Sequence, residues 1–246
     1  MIKLDNLTVS YRQHPALHHI SGHFAAGSLT AVVGPNGSGK STLLKSMMGL
    51  QQKSGGQINI AIARKEIAYL PQQAEIDRSY PISVQDCVLQ GFWPKLGAFY
   101  GIRAAEMAQA QVAIKTVGLE GFERRPIASL SSGQFQRVMF ARMFVQDAQL
   151  ILLDEPFNAI DSKTTAALLQ LIRQWHQQKR TVIAVLHDDA QVRAHFPETL
   201  LLARGVVAWG STADVFTHDH LRKALAVAQA WDDQAEICTI DTAVAT

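Results

Sequence analysis

Gly34-Pro35-Asn36-Gly37-Ser38-Gly39-Lys40-Ser41 fits the spacing G-x-x-x-x-G-K-[ST], and those residue types in that order suit one task, holding the phosphates of a nucleotide. The glycines let backbone N–H groups converge on phosphate oxygens, and a helix beginning at the lysine adds the positive end of its dipole. Lys40 would then contact the β- and γ-phosphates, and Ser41, followed by Thr42, would offer its hydroxyl to Mg²⁺. A second chemical feature is the apolar run Leu150-Ile151-Leu152-Leu153, which ends in Asp154-Glu155-Pro156. A strand of that composition belongs in a buried sheet and delivers its acids at the carboxyl end, where ligands of open α/β folds bind. Asp154 is suited to hold the Mg²⁺ through its water shell. Glu155 is suited to orient or deprotonate an attacking water, a contribution of about 10²–10⁴-fold in rate.

The elements that position these groups follow from the pattern of apolar residues. Residues 2–9 and 17–24 show imperfect alternation, and a turn at Ala26-Gly27 leads into residues 29–33, so three early strands are expected. Helical spacing covers residues 41–50, bounded by Gly49 and the turn Lys53-Ser54-Gly55-Gly56. The order is therefore strand, glycine loop, helix. Residues 58–62 and 67–70 read as a short strand pair, the second ended by Pro71. Residues 83–118 turn helical, with Val84, Cys87, Val88 and Leu89 on one face and a broken aromatic stretch over residues 92–100. An inserted helical subdomain over about residues 83–146 is expected. A helix then runs from Gly133 to Gln146, followed by the strand at 150–153, a helix from Ser162 to about Gln178 and a strand over 180–186. Alternating strands and helices imply a parallel, buried sheet. Residues 200–203 and 206–209, split by Arg204-Gly205, close as a hairpin.

Composition bounds the rest. At 246 residues, against a prior of roughly 150 per domain, the chain holds one large domain or one with an insertion. Hydrophobic residues make up 48% and charged residues 18%, enough for a sizeable core and unlike a disordered tail. The net charge of +2 announces no strongly basic face for nucleic acid. Cys87 and Cys238 match neither a disulfide framework nor a zinc spacing. Lys3 and Asp5 interrupt any signal-peptide run, and no stretch approaches the roughly 18 to 20 apolar residues that span a bilayer. A cytosolic location is expected, and any membrane role would be from outside the bilayer.

Further segments carry a resemblance. Leu130-Ser131-Ser132-Gly133-Gln134 resembles the LSGGQ signature of the ATP-binding cassette (ABC) family, and Ser131 precedes Asp154 by 23 residues. His187 matches the family's switch histidine, Tyr69-Leu70-Pro71-Gln72 its Q-loop, Asn158-Ala159-Ile160-Asp161 its D-loop, and Tyr11 its adenine-stacking aromatic. These motifs come in the family order and cover roughly residues 2–215. The resemblance implies a P-loop NTPase of ABC type: α/β, with a mainly parallel core sheet, an antiparallel β subdomain and the inserted helical subdomain. The ATP-binding domain would be residues 1–218, with a helical tail of unknown role at 219–246. ATP and Mg²⁺ are the implied cofactors. Glu155, His187 and Gln72 are the implied catalytic residues, with Gln73 a competing assignment for the last. Tyr11, Gly34, Pro35, Asn36, Gly37, Ser38, Gly39, Lys40, Ser41, Thr42, Ser131, Gly133, Gln134 and Asp161 are the implied nucleotide contacts, and Ser41, Gln72 and Asp154 the implied Mg²⁺ contacts. Because the signature caps the γ-phosphate bound to a partner, two copies would close head to tail on two ATP molecules. Ser132 departs from the family's first glycine, and its Cβ narrows the backbone options if that position needs a positive φ.

A lone cassette resembles the separate ATPase subunits of bacterial importers, docked peripherally on the cytoplasmic face of the inner (plasma) membrane under an integral membrane permease. An extracytoplasmic binding protein would be an indirect partner, and nucleic acid is not expected. The docking groove would lie between Gln72 and about Arg103, where Phe92, Trp93 and Phe99 could face a permease helix or fill the subdomain core. The wording of residues 77–97 is similar to the zinc and manganese importer cassettes, with iron-siderophore, haem and cobalamin cassettes sharing much of it. His14, His18, His19 and His23 fall on strands where neighbours point to opposite faces, and no acid or Cys completes a metal site. Two other classes stand beside the importer: a soluble ABC ATPase on nucleic acid or ribosomes, opposed by the missing coiled coil, second cassette and basicity, and a non-hydrolysing regulatory binder, opposed by Lys40, Asp154, Glu155 and His187.

Overall fold

The computed structural model describes residues 1–11, 14–72, 76–97, 101–158 and 160–229. The sequence readings at Gln73, Phe99, Ala159, Cys238 and the end of the tail lie outside these residues. Strand β1 (Ile2–Tyr11) buries Ile2 and Leu4, then Leu7 and Val9. The change from even to odd positions coincides with a register shift between Leu4 and Leu7, where Asn6 takes φ 50. A bulge of this kind explains the imperfect alternation. Strand β2 (His14–Phe24) pairs antiparallel with β1, setting Val9 opposite Leu17 and Ile2 opposite Phe24. The turn at Ala26-Gly27 then feeds β3 (Leu29–Val33), the glycine loop and α1 (Lys40–Met47).

The next two strands correct one expectation. Strand β4 (Gly55–Ile60) does not pair with β5 (Ile67–Leu70). It joins the other edge of β1, Leu4 facing Ile58, whereas β5 runs parallel beside β6 (Leu150–Asp154). Half-exposed alternation in β4 suits a sheet with one wet face, and the mostly buried β5 suits a sheet covered on both.

Between β5 and β6 lie α2 (Val84–Leu89), α3 (Trp93–Leu96), α4 (Ala104–Thr116) and α5 (Ser132–Gln146). The aromatic stretch is partly helical, a 3₁₀ turn at Gln90–Phe92 running into α3. Ser83 caps α2 and Ser131 caps α5, each accepting the N–H three residues on. After β6 come α6 (Ser162–Gln177), β7 (Thr181–Val185), α7 (Asp189–His195), β8 (Glu198–Ala203), β9 (Gly205–Ser211), α8 (Thr212–Val215) and α9 (His218–Gln229).

The chain thus forms a three-stranded antiparallel sheet, β2-β1-β4, and a six-stranded sheet, β5-β6-β7-β3-β8-β9, in which only β9 runs antiparallel. In β6, Leu150 and Leu152 join the core shared with the antiparallel sheet and α1, while Ile151 and Leu153 join the core under α5 and α6. Burial on both faces is why these strands read as unbroken apolar runs. The carboxyl ends of β3, β6 and β7 lie side by side, so the segments that follow them meet at one edge. Among the described residues, no helix is long and apolar enough to cross a membrane.

Candidate functional site

The glycine loop leaves β3 and caps α1 at Gly39, which takes φ 93. A Cβ there would sit 2.4 Å from the Ala16 carbonyl oxygen on β2, so both conformation and packing require glycine. Lys40 opens the helix and is almost fully buried, its Nζ donating to the carbonyl oxygens of Gly34 and Pro35 at 2.9 Å each. Burial pulls the Lys40 ammonium below its ordinary pKa, and the carboxylates of Glu155 and Asp154 pull it back up. No acid occupies the first turn of α1, which leaves the helix terminus to an anion.

Asp154, fully buried at the end of β6, meets the loop through Ser41, whose Oγ donates to Asp154 Oδ1 at 2.9 Å. Gln72, just past β5, donates from Nε2 to the same Ser41 Oγ at 3.2 Å, and the Tyr69 hydroxyl lies 3.4 Å from Asp154 Oδ2. Glu155 begins the next turn at φ 49, a conformation costly for a residue with a Cβ. Its Oε1 lies 2.6 Å from His187 Nε2 and its Oε2 accepts from Asn158 Nδ2 at 3.3 Å. A carboxylate can only accept, so the Nε2 of His187 carries the proton in this contact.

A cleft of about 700 Å³ runs along these groups, lined by Tyr11, His14, Ala16, residues 36–42, Gln72, Glu155 and Arg204. Gly34, Pro35 and His187 line instead a separate cavity of about 280 Å³, together with Leu221 and Ala224 of α9. His187 therefore reaches the cleft through Glu155. Ser131, Gly133, Gln134 and Asp161 do not line the cleft. They form a separate cluster in which Ser131 caps α5 against Gln134, and Asp161 caps α6 by accepting from Thr164 N at 2.8 Å and Thr164 Oγ1 at 2.7 Å. A Cβ on Gly133 would meet Asp161 Oδ2 at 3.5 Å, so the two caps adjoin. Ser132 is the first residue of α5 and is absent from the residues with positive φ, so its Cβ is no obstacle there.

Three lining residues escaped the sequence reading. His14 and Ala16 follow from β2 beginning at His14 rather than at Leu17. Arg204, at φ 61 in the β8–β9 turn, donates from its N–H to the Ser38 carbonyl at 3.0 Å and from its guanidinium to the Pro15 carbonyl at 2.9 Å. Its position depends on chain 189 residues away, which no local signal reports.

The residues fit a magnesium nucleotide. Ser38 Oγ is buried in the loop without a hydrogen-bond partner among the described residues, a donor suited to a phosphate oxygen. Ser41, Asp154 and Gln72 bring oxygen ligands of the kind a hard divalent cation takes. Elsewhere, among the described residues, no group of three or more His, Cys, Asp or Glu gathers to hold a metal ion. His18 and His19 pack ring to ring at 4.1 Å.

Residues 17–158 match the family described as ABC transporter. The manganese transport system ATP-binding protein MntB of Listeria monocytogenes is 40% identical over 228 residues, 91% of this chain and 95% of its own length. The zinc transport system ATP-binding protein TroB of Treponema pallidum is 38% identical over 228 residues, 91% of this chain and 86% of its own. A bacterial ABC transporter cassette solved as a dimer superposes with a TM-score of 0.76 at 26% identity, over 86% of this chain and 99% of that one.

Proposed function

The chain belongs to the ABC transporter family, and from that premise we propose that it is the ATP-hydrolysing subunit of an importer for a transition metal ion, manganese or zinc. The observation that carries this reading is the cleft in which Lys40, Ser41, Gln72 and Glu155 converge, in a chain similar to manganese and zinc transport cassettes over nearly its whole length. Tyr11 stacks on the adenine, the N–H groups of the loop and Lys40 take the phosphates, and Ser41, Gln72 and Asp154 hold Mg²⁺. When bound, Mg²⁺ would neutralise charge on the phosphate oxygens. Glu155 takes a proton from the attacking water as its oxygen bonds the γ-phosphorus. The bond to the bridging oxygen breaks, leaving ADP and phosphate. His187, donating to Glu155, restrains that carboxylate, which lines the cleft.

Two copies close head to tail on two nucleotides, each offering Ser131, Gly133 and Gln134 to the other's loop. Support comes from the placement of these residues outside their own cleft, from the acid-free first turn of α5 and from the likeness to a dimeric cassette. The cassette domain is taken as residues 1–218, with the helices up to Gln146 forming the subdomain that receives a permease from the cytoplasmic side. Tyr80 and Trp93, 63% and 47% exposed, are candidates for that contact, whereas Phe92 is buried. The test is cellular manganese, zinc and iron content under metal limitation in a strain lacking this gene, complemented by the wild type or by Glu155→Gln. Selective loss of manganese or zinc, restored only by the wild type, is expected. Loss of iron alone would move the substrate to iron or an iron chelate, and no change in any metal would count against metal uptake.

A further inference from the structure

We propose that Gln136 is a positioning residue for hydrolysis, a strut by which α5 sets the turn that carries Glu155. Gln136 is 2% exposed, and its Nε2 donates to the Pro156 carbonyl oxygen at 2.8 Å across 20 residues of chain. The turn needs such a strut. Pro156 has no N–H with which to anchor itself, and Glu155 before it sits at φ 49, a conformation that persists only where the surroundings over-determine it.

Several described groups supply those surroundings. His187 holds Glu155 Oε1, Asn158 holds Oε2, and the Asn158 N–H lies 3.3 Å from the Glu155 carbonyl oxygen. All of these contacts involve groups that are exposed or belong to the turn itself. The Gln136 amide is a buried contact brought by a separate helix, and a buried donor is costly to leave unpaired. It therefore holds to the Pro156 carbonyl when α5 shifts.

Its place on α5 gives the strut a second consequence, which rests on the head-to-tail reading above. Ser131, Gly133 and Gln134 form the start of α5, and Gln136 lies within the next turn. Engagement of that helix end by the partner's nucleotide moves Gln136 and, through the Pro156 carbonyl, the carboxylate of Glu155 in the same chain. Each cleft of the dimer then senses whether the other is filled.

The test compares the full-length wild type with Gln136→Met, Glu155→Gln and the double variant. Methionine keeps an unbranched side chain of similar length and removes the donor. For Gln136→Met the turnover number for MgATP should fall about tenfold to a hundredfold, as a small misplacement of a catalytic group does. The KM for ATP and the affinity for a fluorescent ATP analogue should stay within about twofold, since the amide bonds the Pro156 carbonyl and Pro156 does not line the cleft. On the residual turnover of Glu155→Gln the second substitution should have no further effect, because the strut acts through that side chain. Hydrogen exchange over residues 154–161 should quicken in Gln136→Met. Turnover equal to the wild type, or an undiminished loss in the Glu155→Gln background, would overturn the proposal. If Gln136→Met does not fold, Gln136→Asn, which keeps an amide but withdraws it by one methylene, should give the same split. A wild-type chain that fails to hydrolyse MgATP would instead sink the ATPase reading, and the hydrogen-exchange comparison would still decide whether Gln136 braces the turn.

Discussion

At the scale of single residues, the proposed hydrolysis depends on where one carboxylate points. Glu155 is held from two sides at unequal strength, a 2.6 Å contact to His187 and a 3.3 Å contact to Asn158. His187→Ala should therefore lower the turnover number by about a hundredfold with ATP affinity unchanged, while Asn158→Ala should cost less than about tenfold. Steady-state kinetics on the two variants checks the ranking, and the reverse order would remove His187 from its assigned place. Much of this site could be read from spacing alone, because the loop from Gly34 to Ser41 and the pair Asp154-Glu155 are consecutive residues whose types already state a task. Arg204 and His14 could not, since the fold brings them to the cleft from the β8–β9 turn and the start of β2. Gln136 stayed hidden for another reason: one turn inside α5 it looks like any helix residue until its partner is known.

Among elements, the sequence spoke clearly where burial was uniform. Strands β3, β6 and β7 are buried along their whole length, and each shows as a largely apolar run. It misled over β4 and β5, two short strands separated by a 3₁₀ turn at Arg64–Glu66. Closeness in sequence suggested a pair, yet β4 has one wet face and β5 is mostly buried, so they belong to different sheets. Helix α7 went unread although Asp188 marks its start, accepting from the N–H groups of Ala190 and Gln191. The join between loop and β2 yields a test at this scale. Gly39→Ala puts a Cβ 2.4 Å from the Ala16 carbonyl oxygen at a φ of 93, and it should cost about 1–3 kcal/mol of stability and weaken nucleotide binding. Thermal denaturation with and without MgATP measures both. An unchanged midpoint would mean that the loop does not press on β2 as described.

For the whole molecule, two separate clusters on one chain underlie the proposed mechanism. The cleft carries the phosphate loop, Gln72 and Glu155, and the joined caps of α5 and α6 carry Ser131, Gly133 and Asp161. Neither is a complete site under the proposed mechanism, in which each cluster meets its complement on a second copy. The modest net charge of +2 offers no strong long-range repulsion to that meeting. Helix α9 packs Ala224 into the core and leaves Leu225 55% exposed, and the chain's last described element shares a cavity with Gly34, Pro35 and His187. The most direct measurement of the central claim is MgATP turnover together with molar mass in solution for the purified wild type and Glu155→Gln. Glu155→Gln should bind MgATP, lose about a hundredfold or more in turnover and accumulate as a dimer that the wild type forms only transiently. Full turnover by Glu155→Gln would contradict the role of Glu155 as base, and a variant that binds MgATP yet stays monomeric would contradict closure of two chains around the nucleotide.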